Sequence, residues 1–214
     1  MTDNLRPSSA SVTAPAPDAT APRNFSLALV VLGGVGLLAA FALTLERLAV
    51  LANPDHVPSC TLNPILSCSS VMTSPQASLL GFPNPLIGVV AFPVVIATGA
   101  GLLAGARFAR WYWAGLQAGV TLAAIFVHWL IWVSLYQIGA LCPYCMAVWA
   151  VTLPLFVIVT QRNLRLLPGR GSSRWARVGR WARTYQTPVL VGWYLLIATL
   201  IAVRFWDYWI TLLT

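Results

Sequence analysis

Four cysteines are the residues with the clearest capacity for chemistry, and they come as two pairs. Cys142-Pro143-Tyr144-Cys145 opens an apolar run of about twenty residues, roughly the length that crosses a bilayer. Its spacing lets a disulfide close over one helical turn. Pro143 suits the first turn of a helix, where its missing N–H has no bond to lose. Cys142 is then the cap residue, near the positive end of the helix dipole, which favours its thiolate. Cys145 lies one turn deeper, on the same face as Trp149. The other pair, Cys60 and Cys68, sits in a proline-rich stretch. Either pair could be a redox dithiol or a structural staple, and the rest of the chain has to separate the two.

The elements that position these cysteines lie in a membrane. Of 214 residues, 58% are hydrophobic and only 8% charged, far too apolar for a soluble domain and typical of a multi-span membrane protein. All 13 basic residues are Arg, and the formal charge is +8. Their placement argues against a nucleic-acid footprint. All but Arg47 and Arg204 fall on one side of a five-span topology, the positive-inside pattern.

Residues 1–25 are rich in Ala, Pro, Ser and Thr and read as a disordered cytoplasmic tail. A first span covers about 27–45, too long and too poor in a cleavage site for a signal peptide. A polar loop, 46–85, carries Cys60 and Cys68 with six prolines from Pro54 to Pro85. Within it, Ser74-Pro75 to Gly81 reads as a short helix with Ser74 as its N-cap. Spans follow at about 86–106, 111–137 and 141–161, with Arg107 and Arg110 in the turn between the first two. A basic cytoplasmic linker, 162–186, leads to a fifth span over 187–214, in whose last turns Arg204 and Asp207 are placed to pair or to snorkel. Gly115-x3-Gly119 suggests close helix packing. His128, alone in mid-span, reads as a hydrogen-bonded packing residue.

This topology puts the 46–85 loop, the start of the fourth span and all four cysteines on the extracytoplasmic side, which in a bacterium is the oxidising one. Two cysteine pairs on one face suggest a thiol–disulfide relay, which needs a final electron acceptor; a membrane bundle offers a lipid-soluble one.

The chain resembles the vitamin K epoxide reductase (VKOR) family in its bacterial form. The resemblance rests on Cys60-x7-Cys68, the following Ser69-Ser70-Val71-Met72-Thr73-Ser74, Asn84-Pro85-Leu86-Ile87-Gly88 at the second span, and Cys142-Pro143-Tyr144-Cys145 at the fourth. It covers about residues 27–160 and implies an all-α membrane protein: a four-helix bundle over 26–161 around a quinone pocket, covered by the loop, with the fifth span added. It further implies a multi-pass enzyme of the bacterial cytoplasmic membrane. The enzyme would reoxidise a DsbA-like thioredoxin-fold protein and reduce a menaquinone-like quinone, without metal. Some members carry that partner as a fused domain; none is seen in this chain, so a separate one is expected.

By the same resemblance, Cys60 meets the partner, Cys68 hands electrons to Cys142, and Cys145 faces the quinone ring. Asn84 matches a position that hydrogen-bonds a quinone carbonyl, although turn chemistry between two prolines also explains it. Ser74 matches a Ser/Thr position near the site. Trp149 stands where vertebrate members carry a quinone-bonding Tyr; an indole could stack or donate its N–H there, or simply pack. Two readings from other classes stand beside this one: a four-cysteine zinc site, for which a seven-residue gap is unusual, and a transporter or scaffold with purely structural disulfides, for which no internal repeat is visible.

Overall fold

A computed structural model describes residues 22–63, 65–166 and 184–213. The chain runs α1 (Arg23–Ala52), α2 (Cys68–Met72), a 3-10 turn (Pro75–Ser78), α3 (Pro85–Leu103) and α4 (Arg110–Trp132). α4 continues as a π-helix over Val133–Ile138, and α5 (Pro143–Leu166), α6 (Gln186–Arg204) and α7 (Trp206–Leu213) complete it. Among the described residues, five helices are long and apolar enough to cross a membrane, so the protein is an all-α, multi-pass membrane protein. The sequence-based tail, 1–25, and basic linker, 162–186, fall mostly outside the described residues.

Several boundaries differ from the sequence reading. α1 has 30 residues, about 45 Å of helix against a hydrocarbon core of about 30 Å. Its last turns, including Glu46 and Arg47, therefore remain helical where a loop was expected. α5 runs on to Leu166 through the start of the expected linker. The fifth span ends at Arg204, and the chain breaks at Phe205 before α7.

α1 and α3 form the tightest pair because small residues let their backbones approach. A Cβ on Gly88 would stand 2.7 Å from the Ala40 Cβ, and one on Gly36 would stand 2.3 Å from Cε1 of the Phe92 ring. α5 packs against both α1 and α4, around a core that includes Leu29, Phe92, Trp113, Leu155 and Val159. Gly115 and Gly119 correct the sequence expectation. Nothing lies within 4 Å of a Cβ built on either; they border open space, not a neighbouring helix.

At one end of the bundle, Arg162 lies over the Trp113 ring at 3.2 Å, and Asn163 Nδ2 donates to the Trp113 carbonyl. At the other end gather the 53–84 segment, the π-helix, the start of α5 and the end of α6. There Arg204 Nε donates to the Leu135 carbonyl at 2.9 Å, so it pairs with the end of α4 instead of with Asp207. α6 buries none of its own residues. It touches the bundle through Trp193, stacked on His128, and through Tyr194, whose hydroxyl donates to Ala150. His128 Nδ1 donates to the Ala124 carbonyl at 2.6 Å, the packing role read from the sequence.

Candidate active site

A short backbone clamp builds the site. Leu66 and Leu141 form an isolated parallel bridge: Leu141 N–H donates to Ile65 at 2.7 Å, and Ser67 N–H donates to Leu141 at 2.9 Å. The residue after each half of the clamp, or nearly so, is a cysteine. Ser67 caps α2, its hydroxyl accepting from Ser70 N–H, which fixes Cys68 as the first helical residue. The Cys142 carbonyl accepts the first bond of α5, from Met146 N–H; Cys142 is thus the cap the Pro143 argument called for. Two helix starts face each other, and the Cys68 and Cys142 sulfurs come within 3.1 Å.

Cys60 joins them from the loop. It forms a disulfide with Cys68, with Cα atoms 5.6 Å apart, while Thr61 Oγ1 takes a hydrogen bond from Ser69 N–H. The loop is pinned to α1 by Glu46, which accepts from Ser59 N–H and the Ser59 hydroxyl and pairs with His56 at 3.0 Å. The sulfurs of Cys60, Cys68 and Cys142 all lie within 4.8 Å of one another. Such a cluster has the donor type for a soft metal, but Cys60 and Cys68 are bonded to each other here, and a metal would need both reduced. A cysteine that meets a partner in a proline-rich loop would be expected to be exposed, but Cys60 is only 6% exposed, against 0% for Cys68 and Cys142.

Cys142 and Cys145 are free thiols. A hydrogen bond with the Cys145 thiol holds the Cys142 thiol below the usual cysteine range; burial opposes this, and the backbone N–H groups of Cys145 and Tyr144 add to it. These are the unpaired N–H groups of a helix start, aimed at the cap sulfur.

One turn further in, Cys145 lines a cavity of about 1170 Å³ between α1, α3, α4 and α5. Its wall is almost wholly apolar. Trp149 lines it too, as its spacing from Cys145 requires, and is 4% exposed. The indole Nε1–H of Trp149 is buried with no hydrogen-bond partner. Gly115 and Gly119 open the α4 side of the cavity.

The loop closes the cavity with residues 71–84. Ser74 lines it, but its hydroxyl donates to the Val71 carbonyl at 2.8 Å and does not cap the following turn. The short helix read from the sequence is present as a 3-10 helix, Pro75–Ser78, with Ser74 at the N-cap position and Pro75 first, but it ends before Gly81. Asn84 is buried and also lines the cavity. Its side-chain amide donates to Gln76 at 2.7 Å and its oxygen accepts from Leu79 N–H at 3.1 Å. It therefore ties the turn down, the second of the two roles its sequence allowed, with one amide hydrogen left over. Gln76 reaches across to Gln137 on the π-helix. Arg47, which the sequence marked only as an arginine on the arginine-poor side, also borders the cavity.

The cavity fits a quinone: a flat apolar body with acceptor oxygens only, beside a thiol and an indole donor that lacks an acceptor. A model of the vitamin K epoxide reductase family matches residues 27–160. The chain belongs to that family. Membership makes it a membrane oxidoreductase of a family whose members use quinones. No curated protein matches the chain closely enough to count as a relative.

Proposed function

We propose that this VKOR-family protein oxidises a separate, DsbA-like thioredoxin-fold protein and passes the electrons to a menaquinone-like quinone in a bacterial cytoplasmic membrane. The observation that carries the reading is the line of sulfurs: Cys60 bonded to Cys68, Cys68 at 3.1 Å from Cys142, and Cys145 on the cavity wall.

The partner's thiolate attacks the Cys60 sulfur, and Cys68 leaves as thiolate. The partner's second thiol displaces Cys60, completing the partner's disulfide. Cys68 thiolate then attacks Cys142 in a Cys142–Cys145 disulfide and releases Cys145; Cys60 attacks Cys68, restoring its own disulfide and freeing Cys142. The net step moves two electrons and two protons from the partner's dithiol to the Cys142/Cys145 dithiol. The same count then passes to the quinone, which leaves as quinol. Trp149 would supply its Nε1–H to a ring carbonyl, and Ser74 and Asn84 would hold the covering segment in place. Exposed Val57 and Leu62 flank Cys60 and offer the partner an apolar rim. The Arg107/Arg110 turn lies on the cytoplasmic side and the four cysteines on the other.

The test is to mix purified protein with a reduced thioredoxin-fold partner and a quinone, then follow both redox states. Equal molar formation of partner disulfide and quinol supports the reading. Quinol without partner oxidation, or neither product, rejects it.

A further inference from the structure

Among the described residues, Arg47 is the only charged side chain on the cavity wall. It follows Ala40 and Leu43 on α1, which also line the cavity, and helical spacing puts the three on one face. Its Nε is buried with no hydrogen-bond partner. The acid next to it offers none, because Glu46 is turned to Ser59 and His56. Arg47 is also one of two arginines at the end of the bundle where the positive-inside pattern disfavours them.

A buried, unsatisfied donor on a permanent cation is costly, and an acceptor supplied by a ligand removes that cost. A quinone brings two acceptor oxygens and no donor. Two residues of the cavity wall carry orphaned donors that are themselves covered, Trp149 Nε1 and Arg47 Nε, so each needs a side-chain turn to meet an acceptor in the cavity, while the Asn84 amide is largely engaged by the 3-10 turn. We propose that Arg47 is a quinone-binding residue, whose guanidinium donates to a carbonyl oxygen and holds the negative charge that oxygen gains during reduction. This rests on the quinone reading above. The Cys142/Cys145 dithiol supplies both electrons and both protons. Arg47 keeps its own proton throughout, since a guanidinium does not deprotonate in proteins. It works as a fixed charge where negative charge develops, not as an acid.

The test uses the full chain in detergent, with quenching of tryptophan fluorescence as readout and two probes. Menadione is a neutral naphthoquinone; 2-hydroxy-1,4-naphthoquinone is an anion at neutral pH. Wild type should bind both and prefer the anion. Arg47→Gln should weaken menadione several-fold and the anion by roughly tenfold or more, as loss of a charge-assisted bond predicts. Arg47→Lys should restore the preference for the anion. An intact Cys60–Cys68 disulfide that still exchanges with a small dithiol shows that each variant is folded. Unchanged binding in Arg47→Gln overturns the assignment alone. So does an equal loss for both probes that Arg47→Lys leaves in place, which marks a packing role. Wild type that binds neither probe overturns the quinone reading and this assignment with it.

Discussion

Leu66 and Leu141 share a two-bond parallel bridge, and this small contact sets the register between the loop cysteine Cys68 and the helix cysteine Cys142. Neither leucine does chemistry. Both sit in a cluster with Ile65, Leu135, Trp149 and Phe205, so apolar packing fixes the clamp and the clamp fixes the sulfurs. Disulfide exchange needs the attacking sulfur close to and in line with the bond it breaks, and 3.1 Å supplies the approach.

Ser67→Pro tests the clamp. Proline removes the N–H that donates to Leu141, and the φ of −131° at Ser67 lies far from the value of about −65° that proline imposes. The Cys68–Cys142 approach should be lost, and electron transfer between the pairs should fall at least tenfold. Ser67→Ala removes the cap and the contact with the Ser70 hydroxyl but keeps the N–H, costing about 1 kcal/mol, and should transfer electrons nearly normally. Stopped-flow reduction of the two pairs measures the difference; equal rates in both variants would show the bridge to be irrelevant.

Cys145 lowers the Cys142 thiol through its hydrogen bond and, in the proposed relay, would also be the thiol that meets the quinone. Cys145→Ser keeps a hydrogen-bond donor one turn below Cys142, while Cys145→Ala does not. Both variants should stop reducing quinone, and both should accumulate a Cys68–Cys142 bridge by attack of Cys142 on the Cys60–Cys68 disulfide. Their pH profiles should part. Losing the donor raises the Cys142 thiol toward the usual cysteine range, so the thiolate fraction at neutral pH drops. Bridge formation in the alanine variant should therefore have the higher pH midpoint. Coincident profiles would remove the Cys145 hydrogen bond as the cause of the lowered thiol.

What the sequence disclosed followed how local each signal is. Pro143 dictates the cap at Cys142 from one position away, and four-residue spacing puts Cys145 and Trp149 on one face; both were legible. The Ser74 bond was not, because its hydroxyl donates back to the Val71 carbonyl and makes no cap bond to the following helix. Gly115-x3-Gly119 has the same spacing whether the glycines meet a helix or a void, so the pattern alone misplaced them. Arg47 showed only as an exception to the charge pattern. Its relation to the cavity depends on α1 staying helical past residue 45, which composition did not reveal.

Arg204 braces the π-helical end of α4 from the fifth span. The Leu135 side chain is fully buried, and removing the Arg204 donor strands its carbonyl, at about 1–3 kcal/mol. Arg204→Leu should lower the thermal midpoint in detergent, and Arg204→Lys should recover part of the loss. A midpoint unchanged in the leucine variant would show that water or lipid serves the carbonyl equally well.

Orientation can be read with two introduced cysteines in a background lacking the native four. Leu62 is exposed in the loop, and Ala106 is exposed in the turn between α3 and α4. By the positive-inside pattern, the arginines at 107 and 110 would put that turn inside. A membrane-impermeant thiol reagent should label Leu62→Cys in intact cells whose outer membrane has been breached, and Ala106→Cys only after lysis. The reverse pattern would invert the topology and move the cysteines to the reducing side.

The direction of the relay is open to a trapping experiment. Cys68 is fully buried between Cys60 and Cys142, whereas Cys60 follows exposed Ser59 and keeps a small exposed area of its own. In the proposed relay a partner's thiolate would therefore reach Cys60 first, after a local opening of the loop at Val57–Leu62, with Cys68 leaving toward Cys142. Cys68→Ser leaves Cys60 without its resolving neighbour. Mixed with a thioredoxin-fold partner whose second active-site cysteine is removed, and supplied with an oxidant, it should accumulate a stable mixed disulfide through Cys60. Cys60→Ser should accumulate none, while a small permeant dithiol still reduces it by reaching Cys142. Because the loop must open, strengthening its anchor should slow the trap and weakening it should not. Glu46→Gln, which loosens the hold on Ser59 and His56, should thus form the mixed disulfide at least as fast as the parent. Non-reducing gels separate these cases. A partner cross-linked through Cys68 or Cys142 would reverse the order of the relay even with every distance in the site unchanged.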